Sequence, residues 1–115
     1  MGAIPNTRRD FESMHHATRV RIYRAARNHA VRSEPETSVT AFDEDMADRA
    51  APLMASGWSR GAAFTSAALS DYLGAFTTYH RHESQETRDW SSMEATCFST
   101  TERHQAAWDA LASSI

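Results

Sequence analysis

The chain has 115 residues with fifteen acidic side chains against twelve basic ones, a formal net charge of −3 and a pI near 6.0. That length holds one domain with one core, and that charge balance excludes a generally basic protein that coats nucleic acid. A hydrophobic fraction of 41%, with 10% aromatic residues, excludes wholesale disorder, and no apolar run approaches the roughly 20 residues that span a bilayer.

The start has no hydrophobic segment of the signal-peptide type. Cys97 is the single cysteine, so no internal disulfide can form, and a cytoplasmic setting is expected. Every basic residue is arginine, which reads as coding bias rather than chemistry.

Residues 1–6 read as a flexible N-terminus. A first helix is expected from Thr7 to Arg32, with Asn6 as N-cap and Asp10 and Glu12 near its positive end. Its buried stripe is Phe11, Thr18, Ile22, Ala25, Ala26 and His29, at helical spacing. Pro35 ends it, because the residue before proline avoids the α region, and residues 33–39 form a linker. A second helix is expected to open on Thr40, with Asp43 completing a capping-box variant and Gly57 following the last turn. Phe42, Met46, Ala50, Leu53 and Met54 form its stripe, and Pro52 is expected to kink or divide it.

A third, central apolar helix is expected over about residues 59–80, with Phe64, Ala67, Ala68, Leu69, Tyr72, Leu73, Phe76 and Tyr79 covering more than half its circumference. A break is expected in His82 to Gln85. Beyond it, Trp90, Met93, Cys97 and Phe98 keep helical spacing, as do His104, Ala107, Trp108, Leu111 and Ile115. Ser99-Thr100-Thr101-Glu102 matches a capping box that restarts a helix at Thr100. No stretch alternates with period two, so no strand is expected. The fold class is therefore all-α, a compact four- to five-helix bundle in a single domain, residues 1–115.

Charge changes sign along the chain. Residues 1–32 carry seven arginines against Asp10 and Glu12, for a net of +5, while residues 33–54 carry a net of −5 and residues 55–115 a net of −3. On the first helix Arg9, Arg21, Arg24 and Arg27 fall opposite Phe11 and Ile22, and Arg32 follows at its end. A guanidinium fork binds carboxylate or phosphate in bidentate fashion, so such a face can hold an acidic partner. Such faces are more commonly plain surface, and this one could be simply solvated or paired with the acidic start of the second helix.

Other chemistry has thinner support. Glu12-Ser-Met-His15 has the Glu-x-x-His spacing of di-iron bundles, but no second such motif accompanies it. Of the six histidines, His80 and His82 read as partners of a helix C-terminus. Cys97, on an apolar stripe, reads as a buried inert thiol. The phosphate-loop, dinucleotide and nucleophile-elbow signatures are all missing, and neither catalysis nor a cofactor is expected. The helix after Met54 to Arg60 is too apolar to be a groove-reading recognition helix.

The sequence thus predicts a non-enzymatic interaction protein, an adaptor or inhibitor. It would bind a larger protein or nucleoprotein through Arg9, Arg21, Arg24, Arg27 and Arg32. Small inhibitors from phages and mobile elements share these properties, and a lean core allows a homodimer. The competing readings are a nucleic-acid-binding regulator using the same arginines and a metal-binding helical bundle.

Overall fold

The computed structural model describes residues 2–87 and 100–115, with side chains at 2–76 and 102–115. The described residues form five helices and no strand: α1 Arg8–Glu12, α2 His16–Ser33, α3 Val39–Ala55, α4 Arg60–Thr87 and α5 Thr100–Ser114. The all-α reading holds. No helix among the described residues is long and apolar enough to cross a membrane. The chain divides into two compact units, residues 5–72 with 115 and residues 1–4 with 73–114.

In the first unit the expected single N-terminal helix is two helices. Thr7, not Asn6, caps α1: its side chain accepts from the Asp10 amide at 3.1 Å, and Asp10 Oδ2 accepts from the Thr7 amide at 3.1 Å. The Asn6 amide at 3.0 Å and the Thr7 amide, both donating to Oδ2, hold the Asp10 carboxyl below the usual carboxylate range. α1 stops after Glu12 without glycine or proline. Ser13 Oγ donates to the Asp10 carbonyl at 3.1 Å, and Arg19 Nη1 donates to the Phe11 carbonyl at 3.2 Å. Side chains thereby take over carbonyls that a continuing helix would have bonded. His15, in extended backbone, then opens α2. Glu12 and His15 consequently do not share a helix face, which removes the geometry of the Glu-x-x-His motif.

Ser38 caps α3 by accepting from the Ala41 amide at 3.0 Å, two residues before the expected Thr40, and this frees Asp43 from any capping role. The helix passes Pro52 undivided and closes at Ser56. Gly57 donates to the Met54 carbonyl at 3.0 Å and Trp58 to the Leu53 carbonyl at 3.1 Å. That pair of bonds is a Schellman motif, and it needs a left-handed residue at the position Gly57 fills with φ +102°. A Cβ there would also sit 3.4 Å from the Arg8 guanidinium, whose Nη2 donates to the Gly57 carbonyl. Gly57→Ala should therefore lower unfolding free energy by about 1–2 kcal/mol, the left-handed penalty for an L-residue. A urea midpoint with an unchanged slope is the check.

α4 begins where Glu12 reaches over: its carboxylate accepts from the Ser59 amide at 2.8 Å and from Ser59 Oγ. Both bonds hold the Glu12 carboxyl below its usual range, and Arg8 adds to the effect against the cost of burial. Ala62, Ala63, Thr65, Ala67, Ala68, Leu69 and Tyr72 are buried, so the first half of α4 is the central apolar element as expected. Phe11, Ile22, Ala26, Phe42, Met46 and Ala50 complete this core. α4 continues to Thr87, with no break in His82 to Gln85. That segment contains neither glycine nor proline, and the backbone at His80 and His82 lies within the helix rather than at its C-terminus.

In the second unit α5 starts at Thr100, as the sequence predicts, and buries Ala107, Trp108 and Leu111 on one face. Gln105 Nε2 donates to Asp109 Oδ1 at 3.0 Å and to the Gly2 carbonyl at 3.3 Å. Trp90, Met93, Cys97, Phe98 and Ser99 lie outside the described residues.

Candidate functional site

A groove of about 250 Å³ opens in the first unit between α2 and the start of α4. One stripe of α2 lines it: His16, Arg19, Val20, Tyr23, Arg24 and Arg27. Gly61, Phe64 and Thr65 of α4 face them. The stripe follows from helical geometry, since residues three, four and seven apart share a face.

Of the five arginines expected to form a binding face, the structure brings only Arg24 and Arg27 to this groove. Arg21 is exposed but lies two residues from Tyr23, roughly 160° round the helix at 100° per residue. Arg9 stands exposed on α1, and Arg32 is exposed in the last turn of α2.

Arg27 is partly spent within the chain. Its Nη1 donates to both oxygens of Asp43, each at 3.2 Å, and Tyr23 O–H donates to Asp43 Oδ1 at 2.6 Å. The intramolecular pairing with the acidic second helix is thus realised, at one position. The guanidinium also lies 5.7 Å from the centre of the Tyr23 ring, which meets Phe42 edge-on at 5.6 Å.

Arg19, absent from the expected face, is held at the groove's other end. It donates to Phe11 and pairs with Glu12 at 3.8 Å. Gly61 makes room for it, because a Cβ at that position would stand 3.3 Å from the guanidinium carbon. Its charge alone could have drawn attention to it, but the absence of a side chain opposite is visible only once α2 meets α4. The Nε atoms of Arg19 and Arg27 are buried without a hydrogen bond.

Arg24, Arg60 and His16 form no hydrogen bond or ion pair among the described residues. Arg60 instead lies over the Phe64 ring, 4.6 Å from its centre, and the Phe64 and Tyr23 rings are 6.2 Å apart. Phe64, expected in the core, is only half-buried. The groove therefore combines guanidinium donors with aromatic faces, an environment for an anion attached to an apolar body. Glu12 and Asp43, the two carboxylates touching its arginines, are already engaged. Among the described residues no group of three or more histidine, cysteine or acidic side chains could hold a metal ion.

Burial pushes the Tyr23 hydroxyl well above its ordinary value of 10.0, and its bond to Asp43 adds to the rise against the opposing pull of Arg27 and Arg60. A raised folded-state value gives stability that is present below the unfolded tyrosine's pKa, about 10, and is lost as pH rises beyond it. Alkaline titration followed by phenolate absorbance should show Tyr23 resisting ionisation until the protein unfolds. In Asp43→Asn it should ionise earlier.

Comparison with protein-family models, with curated proteins and with solved structures finds no match for this chain.

Proposed function

We propose that this chain is a non-enzymatic interaction module that binds an acidic segment of a larger partner protein in the α2–α4 groove. One observation carries the reading: Arg24 on α2 lines the groove and Arg60 on α4 lies over its half-buried Phe64 ring, two cations from separate elements that meet no carboxylate among the described residues. Surface arginines with no role are usually solvated singly. Here Arg24 lines a concavity together with Arg19 and Arg27, and Arg60 lies over the ring of Phe64, another of its lining residues.

A protein partner is favoured over a nucleic acid by the charge of the whole unit. Nine arginines in residues 5–72 meet nine acidic residues, so the unit has no net positive charge to attract a polyanion. A phosphate backbone, with one charge per ~1.7 Å, would be repelled by the acidic surface of α3. There Glu44 and Asp48 are exposed.

The test is binding of a glutamate-rich peptide by isothermal calorimetry, against duplex DNA of equal charge and against Arg24→Glu/Arg60→Glu. Binding of the peptide alone, lost in the double variant, is the expected result. Tighter binding of the duplex, with a salt slope of roughly one log unit per phosphate contact, would replace this reading by a nucleic-acid-binding one.

A further inference from the structure

The groove's volume and its aromatic wall say more about the acidic segment than its charge. Whole small-molecule sites occupy roughly 300–1,000 Å³. This groove, at about 250 Å³, is smaller, and suits one large side chain rather than a complete ligand. Its lining includes apolar surface beside the charged groups, from Val20, Tyr23 and Phe64. The Arg60 guanidinium already covers one face of the Phe64 ring.

Resting on the reading above, we infer that the partner's segment carries a single aromatic anchor residue flanked by carboxylates, and that the anchor seats against Phe64 and Tyr23 while the flanking acids meet Arg24 and Arg60. Two observations support this division of labour. Arg24 lines the groove from α2 and Arg60 lies over the Phe64 ring on α4, so acids on either side of an anchor each find one. The aromatic pair, at 6.2 Å between ring centres, offers a third ring the offset or edge-on geometry that such rings prefer. An anchor in a desolvated pocket with a charged rim is also the arrangement in which few residues carry most of the binding energy.

The experiment uses the full chain and three synthetic peptides of equal length. The first has tryptophan between glutamates, the second alanine between glutamates, and the third tryptophan between glutamines. Affinities are measured by fluorescence anisotropy of a labelled peptide, with aromatic side-chain shifts of the protein followed by NMR.

The tryptophan–glutamate peptide is expected to bind about tenfold or more tighter than the alanine–glutamate one, which is what burial of a large apolar side chain yields. It should move the Phe64 and Tyr23 ring signals. In Phe64→Ala, checked for retained helicity, the preference for tryptophan should collapse while the preference for glutamate over glutamine persists. Equal affinity of the two glutamate peptides would overturn the anchor and leave the acidic-segment reading standing. Failure of both to bind better than the glutamine peptide would overturn that reading as well. If Phe64→Ala does not fold, the ring shifts of the wild-type chain decide alone, and their absence on saturation contradicts the proposal.

Discussion

Phe11→Ala is expected to lower unfolding free energy by about 3–5 kcal/mol, the range for truncating a buried phenylalanine. Against a total of about 5–15 kcal/mol for a domain, that is a large fraction of what holds the first unit together. Phe11 is 2% exposed, and its ring centre lies 6.2 Å from that of Trp58. The five residues of α1 are too few to stay helical by themselves, so tertiary packing holds them in place. When the ring goes, Glu12 loses its anchorage too, and with it the cap on α4 and the partner of Arg19. The effect should therefore fall at the upper end of the range. Chemical denaturation followed by tryptophan fluorescence and by circular dichroism is the check. A loss under about 1 kcal/mol would mean that α1 is an ornament on the fold rather than part of its core.

Reversing two charges, Arg24→Glu with Arg60→Glu, is expected to weaken capture of an acidic peptide by about a hundredfold or more. A hydrogen bond to a charged group contributes about 1.5–3 kcal/mol, and a factor of ten corresponds to about 1.4 kcal/mol. Two such bonds removed give the hundredfold, and repulsion by the new carboxylates adds to it. Neither residue is in the core or holds another element by a hydrogen bond, so thermal stability should move little. The same exposure makes the interaction sensitive to salt, because the screening length falls from ~10 Å at 0.1 M to ~3 Å at 1 M. The contrast with Arg27→Glu is informative. That change would face Asp43 at the position of a 3.2 Å ion pair and should cost stability as well as binding.

Features with a local cause were the ones legible in the sequence. Pro35 fixed the end of α2 to within a residue or two, and Gly57 marked the left-handed residue after α3. The apolar spacing of Ala67, Ala68, Leu69, Tyr72 and Leu73 announced the buried first half of α4. The break between α1 and α2 had no such mark. Its cause is Arg19 reaching back to the Phe11 carbonyl, together with Glu12 reaching forward across 47 positions to Ser59. The cap of α3 moved to Ser38 for a related reason. Asp43, read as part of a cap, is held by Tyr23 and Arg27 instead.

Charge along α2 led to a helix that lines the groove, but not all of the expected arginines lie on the groove side. Counting arginines opposite Ile22 includes Arg21, which the turn of the helix carries away from the groove. It omits Arg19, whose place depends on Gly61 of another helix. His16 and Phe64 were missed because neither departs from an ordinary surface or core residue until α2 and α4 are brought together.

The central claim is that the α2–α4 groove is where this chain takes hold of an acidic segment. The most direct measurement is a two-dimensional NMR titration of the isotope-labelled chain with the tryptophan–glutamate peptide. Saturable shifts at Arg24, Tyr23, Gly61 and Phe64, with the outer residues Arg9, Arg21 and Arg32 unmoved, are the predicted result. Shifts concentrated on those outer arginines, or spread evenly over α2 without saturation, would contradict it.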